Sequence, residues 1–201
     1  MSETLNCYRI AAVSGEPDWE SIPRLSLSRI LWKPDCGIRA SGRLCHDAAY
    51  LYVCLRAQEK NIRAVHDAPL SPVHEDSCLE FFFMPEGETR YLNFEFNPKG
   101  CLHLGFGTGR SDRVTLYRED AGTLFGIRPS LSAEGWEVRW RVPLAFLRLF
   151  WPDFAFAGAL RANVYKCGDR TVREHYLAWN PVVSASPDFH RPEDFGRMIF
   201  E

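Results

Sequence analysis

Period-two alternation, repeated in short runs with turn residues between them, constrains the fold of this chain more than any other feature. From Tyr91 to Asn97, Leu92, Phe94 and Phe96 point one way and Tyr91, Asn93, Glu95 and Asn97 the other. The turn Asn97-Pro98-Lys99-Gly100 follows, and then Leu102, Leu104 and Phe106 alternate with Cys101, His103 and Gly105. Trp136, Val138, Trp140 and Val142 alternate with Glu137, Arg139 and Arg141. Ile38 to Leu44 and Tyr50 to Ala57 read as a hairpin around His46-Asp47-Ala48-Ala49. Ser77 to Met84, Ala159 to Tyr165, Glu174 to Trp179 and Arg197 to Phe200 read as further strands. Helical spacing is confined to Pro143 to Phe150, where Pro143 suits a first helical position and Phe146 and Phe150 stand four apart. The expected fold class is all-β, an antiparallel β-sandwich or jelly roll with one short helix, immunoglobulin-like in outline. The 201 residues suffice for one such domain, expected over 1–201.

Charge and motifs exclude several functions. The net charge is -2 and no basic run occurs, so neither nucleic acid nor a membrane surface is an expected partner. No apolar stretch approaches the ~20 residues of a membrane span. The N-terminal residues show no basic then apolar signal pattern, so the chain as given reads as cytoplasmic, or as secreted or periplasmic if a signal has been removed. The seven cysteines are odd in number, irregularly spaced and without a C-x-x-C, which reads as reduced, structural thiols. The six histidines show no H-x-x-x-H or H-E-x-x-H spacing, which argues against zinc. Dinucleotide, P-loop and nucleophile-elbow signatures are missing.

Candidate binding residues concentrate near the C-terminus. Arg161 to Phe200 crowds Tyr176, His175, Trp179, Asn180 and His190 into turn-rich sequence. An aromatic ring can stack on the C–H face of a pyranose while amides and imidazoles bond its hydroxyls. Trp179 stands where its strand ends, and binding residues concentrate on such loops. Trp136 and Trp140 read as core, and Trp19 and Trp32 as plugs at the sandwich ends. The polar face holding Asn93 and Glu95 is either the wet side of a sandwich or part of a site. In the second case neighbouring strands would add Glu80, Arg161, Asn163 and Tyr165, a mixture suited to neutral polyols. Asp76 reads equally as a turn cap or a ligand contact. Glu80 and Glu95 could also be drawn as a glycosidase pair, a signal of little specificity among 26 acidic residues.

Six segments together resemble a known family: EDSCLEFFF from Glu75, YLNFEFNPKG from Tyr91, GWEVRWRVPL from Gly135, LRANVYKCGD from Leu160, HYLAWNP from His175 and DFHRPEDFG from Asp188. In this order they resemble the carbohydrate-binding modules of family 9 in their stand-alone bacterial form, from about Trp19 to the end. The resemblance implies a β-sandwich related to DOMON-type folds. It also implies recognition of the ends of plant polysaccharide chains, with a pyranose between two tryptophans and structural calcium nearby. The second tryptophan matches Trp179, with Asn180 beside it. Where the first should fall, this chain has Pro72, Val73 and His74. Glu80 matches the family's acidic position.

The expected function is therefore non-catalytic carbohydrate binding at poly- or oligosaccharide ends. Trp179 would be the stacking platform, and Asn180, Glu80, Asn93, Glu95 and Arg161 the hydroxyl partners. His74 and His190 would shape the pocket. No catalytic residue is assigned. Calcium is the cofactor the resemblance allows, with its ligands unplaced. The alternatives are a glycoside hydrolase or accessory domain in carbohydrate catabolism, and a haem-binding DOMON-type domain.

Overall fold

The computed structural model describes residues 5–201. Its strands are β1 (Cys7–Ala12), β2 (Leu25–Ser26), β3 (Arg29–Ile30), β4 (Arg39–His46), β5 (Tyr50–Gln58), β6 (Cys78–Pro85), β7 (Tyr91–Phe96), β8 (Leu102–Gly107), β9 (Val114–Thr115), β10 (Arg128–Ser132), β11 (Gly135–Pro143), β12 (Ala159–Cys167), β13 (Tyr176–Ala178) and β14 (Gly196–Phe200). Eleven of them follow one path, β10-β11-β5-β4-β1-β14-β12-β6-β7-β8-β9. That path curls into two facing layers because β1 belongs to both. Cys7 to Ile10 pair with Arg197 to Phe200 of β14, whereas Ala11 and Ala12 pair with Cys45 and His46 of β4. Both of these ladders are parallel, so the sheet is mixed at this corner and antiparallel in its other ladders. The expected sandwich is present, antiparallel in most of its pairs but not all.

The alternation sets the core. Leu79, Phe81 and Phe83 of β6, Leu92, Phe94 and Phe96 of β7, and Trp136, Val138, Trp140 and Val142 of β11 are all buried. Phe94 and Phe96 meet Trp140 with ring centroids 6.2 and 4.7 Å apart, joining one layer to the other. Burying a side chain of this size stabilises by about 1.5–3 kcal/mol, so these rows dominate the stability.

The predicted strands lie within one or two residues of the observed ones. The helix does not run from Pro143 to Phe150. It is the single turn α2 (Leu144–Leu147), and Pro143 is the extended last residue of β11, φ −64° and ψ 139°. A second single turn, α1 (Ala121–Leu124), was not expected. Neither was β10, whose sequence RPSLS is exposed throughout and contains Pro129. Proline is tolerated there because β10 is an edge strand.

The polar face of β7 is not wet. Tyr91, Asn93 and Glu95 are buried, as is Asn97 just beyond the strand. The chain between Trp179 and Gly196 crosses over this face as a roof. Phe189 stacks on Tyr165 at 4.1 Å, His190 on Phe82 at 4.9 Å, and Phe195 meets the edge of Tyr91 at 5.5 Å.

Candidate functional site

Register builds the floor of a cavity under that roof. Tyr165 of β12 stands opposite Glu80 of β6, Glu80 opposite Glu95 of β7, and Glu95 opposite His103 of β8. One residue row thus carries two carboxyls side by side, 3% and 4% exposed. The adjacency that the sequence left conditional is present.

The cavity over Glu80, Glu95 and Cys167 has a volume of about 140 Å³. Its apolar wall is Trp32, Tyr176 and Phe189; His74, Asp169 and His190 add polar groups, and Arg110, Arg113 and Asp188 stand at the rim. Trp32 meets the edge of Tyr176 at 5.3 Å and lies tilted against Phe189 at 5.6 Å. Its indole N–H donates to the Ser184 carbonyl at 2.7 Å. Trp32 also has φ 54°, the left-handed region, which bulky residues rarely enter. Such conformations cost roughly 1–3 kcal/mol and cluster at functional sites. At the rim, Arg110 Nε and Nη2 both reach Asp188 Oδ1 at 3.1 Å. Larger depressions of about 420, 480 and 310 Å³ lie elsewhere; no aromatic ring lines the first two, and the third has the exposed Tyr117.

Burial sets the protonation of the cavity. Desolvation, followed by the neighbouring Glu95 charge, pushes the Glu80 carboxyl well above the usual carboxylate range. Desolvation also raises Asp169. His190 is held far below an ordinary histidine by burial and then by the Arg113 and Arg110 charges. Its ring is accordingly neutral, with Tyr91 Oη 2.8 Å from Nδ1 and the Arg113 guanidinium against the ring. The floor thus offers a carboxylic acid that can donate and accept, beside carboxylate, imidazole and guanidinium groups.

Of the residues expected at a site, Glu80, Glu95, His74 and His190 line this cavity. Trp179, Asn180, Asn93 and Arg161 do not. The open platform expected at Trp179 is a core ring instead, 5% exposed. It fills the space beside Gly196, where a Cβ would lie 2.7 Å from the indole. Asn180 is consumed by structure: Oδ1 accepts from Asn6 N–H at 2.9 Å and Nδ2 donates to the Asp194 carbonyl at 2.8 Å. Arg161 donates to the Phe195 carbonyl at 2.7 and 3.1 Å, which ties the roof to β12. Asn93 donates to Glu95 Oε1 at 2.8 Å and so orients a cavity group from below. The sequence reading missed Trp32 and the rim pair Arg110 and Asp188. Trp32 precedes Lys33-Pro34 in a segment without alternation, and that loop context was the available signal.

Residues 18–200 match the sequence profile of carbohydrate-binding family 9. The chain belongs to that family. The class of function that goes with it is non-catalytic carbohydrate binding. Among solved structures, a Bacteroides uniformis protein described as carbohydrate-binding is 29% identical, with a TM-score of 0.85 over 98% of this chain and 100% of that one. A family 9 module from Caldicellulosiruptor kristjanssonii, solved with cellotriose, is 13% identical, with a TM-score of 0.67 over 98% of this chain and 94% of that one. The same module solved with glucose gives the same identity and score. At that identity the likeness concerns the fold. No curated protein sequence matches the chain.

The carboxylates Asp76, Glu75 and Asp67 are not arranged for the calcium that the family resemblance allows. Both oxygens of Asp76 accept N–H groups, from Val65, His66 and Asn97. Burial alone would raise Asp76, but these bonds outweigh it and hold the carboxyl below its ordinary range. Glu75 pairs with Arg170 and His66, and Asp67 is exposed beside Lys99. These three carboxylates form no oxygen cage of the kind calcium requires. Among the described residues no helix is long and apolar enough to cross a membrane.

Proposed function

We propose that this chain binds the terminal unit of a neutral oligosaccharide in the cavity over Glu80 and Glu95. Trp32 is the stacking wall. Glu80, Glu95, His74, Asp169 and the rim arginines are the hydroxyl partners. The observation that carries this reading is Trp32, a strained tryptophan whose ring faces a cavity floored by two buried carboxyls. Rings beside convergent polar groups are what a pyranose requires, since its faces are apolar and its rim is hydroxylated. The volume of about 140 Å³ is below the ~300–1,000 Å³ of pockets that enclose drug-sized ligands. That size supports one sugar unit entering end-on, with the remainder of the chain in solvent. The solved family 9 module carrying glucose or cellotriose supports the same ligand class.

Stacking and a few hydrogen bonds, less the ordering cost, give dissociation constants of about micromolar or weaker. Calorimetric and fluorescence titration with glucose, cellobiose and longer neutral oligosaccharides tests the reading. Trp32→Ala is expected to weaken binding by about tenfold or more, equivalent to ~1.4 kcal/mol. Unchanged affinity in that variant, or no response to any neutral saccharide, would reject it.

A further inference from the structure

We propose that Cys78, Glu80 and Cys167 form a binding site for a soft divalent cation, Zn²⁺ before others, in the floor of this cavity. Among the described residues this is the one group of three such side chains that converges. Their ligand atoms all lie within 4.8 Å of one another, and all three residues are buried. The geometry follows from register. Cys78 and Glu80 are two apart on β6 and so share a face, and Cys167 of β12 stands directly opposite Cys78. Cys167 Sγ already lies 3.1 Å from Glu80 Oε1. All three donors stand on paired central strands, which hold a constellation more closely than loops do.

The donor set selects the ion. Two sulfurs and one carboxylate oxygen suit zinc, which takes thiolate at about 2.3 Å and carboxylate at about 2.0–2.2 Å. They do not suit calcium or magnesium, which take oxygen. Charge points the same way. Glu80 is buried, and no lysine or arginine pairs with it; its partner is a thiol. Ionising a carboxyl there without a cation is costly, and a bound metal ion would offset that cost. On binding, both thiol protons and any proton on Glu80 leave to solvent through the cavity. Sulfur and oxygen lone pairs form the new bonds, and nothing is oxidised or reduced. Three protein ligands leave one position of a tetrahedron free. Glu80 and Cys167 both line the cavity, so that position faces the space where an exogenous oxygen donor can enter.

Spacing along the chain gave no hint of this group, because the two cysteines are far apart in sequence and meet only through strand pairing.

The test uses the reduced, metal-stripped full-length chain without sugar under anaerobic conditions. Co²⁺ is the probe. The expected result is a near-ultraviolet thiolate-to-cobalt charge-transfer band that saturates at one ion per chain and is displaced by Zn²⁺. Cys78→Ser and Cys167→Ser should each abolish the band. Each should also weaken Zn²⁺, measured against a chromophoric chelator, by about 100-fold or more, beyond the ~10–100-fold typical of lost outer-shell partners. Cys7→Ser, at an exposed thiol, should leave both readouts unchanged. Absence of the band in the folded wild-type chain, with Cys78 and Cys167 titrated as free thiols, would overturn the proposal without recourse to any variant. So would a band that survives both serine substitutions, or a Cys78–Cys167 disulfide that persists under reducing buffer. Cobalt binding is read without sugar and sugar binding without metal, so either reading can fail alone.

Discussion

Lys166 is fully buried in an ion pair with Glu59, and removing its amine should unfold much of what it holds. Its Nζ lies 3.2 Å from Glu59 Oε2, 2.8 Å from the Cys167 carbonyl and 2.6 Å from His175 Nε2. Glu59 is in turn bonded by Ser77 Oγ at 2.8 Å and by the Trp136 indole N–H at 3.2 Å. One ion pair thus joins the ends of β5, β6, β11 and β12 to the loop before β13. Lys166→Met keeps most of the volume but strands a carboxylate, and breaking a buried pair from one side costs about 3–5 kcal/mol. With a urea m-value of about 2–3 kcal/mol/M, the unfolding midpoint should fall by roughly 1–2.5 M. The loss should depend on pH. His175 is held down at about 4, by burial first and then by the Lys166 charge. Its Nε2 is 3.9 Å from Glu59 Oε1, so with the lysine gone it is the remaining cation for Glu59. The variant should therefore lose less at about pH 5.5 than at about pH 8. Glu59→Gln with Lys166→Met should be more stable than Lys166→Met alone, because neither charge is then left unpaired. Urea titrations of wild type and these two variants at the two pH values measure this. A single variant within ~1 kcal/mol of wild type, or a double variant no better than Lys166→Met, would refute the reasoning.

Trp179→Ala should cost about 3–5 kcal/mol of stability, read by thermal or urea unfolding, because it empties core space beside Gly196. Its effect on sugar affinity should be small wherever the variant remains folded, the reverse of Trp32→Ala. Asp76→Ala should destabilise by about 2–4 kcal/mol, since buried N–H groups of Val65 and His66 lose their acceptor; the urea midpoint reports it. Wild-type stability should decline as pH falls below about 6.5. His175 and His190 have depressed folded pKa values, so the unfolded chain takes up protons first, and their contribution is present above the unfolded value and lost on acidification. Glu80 acts in the opposite sense. Its folded pKa is raised, so its contribution is full below the unfolded value and is lost as pH rises. Glu80→Gln should accordingly steepen the acid-side loss, measured as the slope of unfolding free energy between about pH 4.5 and 6.5.

The sandwich was legible because alternation is a local signal: Leu92, Phe94 and Phe96 declare one buried face without reference to any other strand. The edge strand β10 was not, because an exposed strand has no apolar face to alternate. The site was half legible for a related reason. Glu80, Glu95 and His190 carry polar atoms on faces that alternation could assign, and strand register then brought them together. The burial of the two tryptophans was not legible, because an indole's exposure depends on what stands across from it, and that is a long-range fact. Trp179 faces Gly196, the residue on β14 small enough to admit the ring, so it is absorbed into the core. Trp32 is turned by a left-handed backbone step against Tyr176 and Phe189, which support its ring but do not cover it. Substitution at Gly196 separates these causes. Gly196→Ala places a methyl where the Trp179 ring lies, and overpacking of this kind costs about 1–3 kcal/mol. The ring partners of Trp32 are Tyr176 and Phe189, so its fluorescence response to a saccharide should survive in Gly196→Ala. Loss of that response in a folded variant would mean that the two indoles share one site after all.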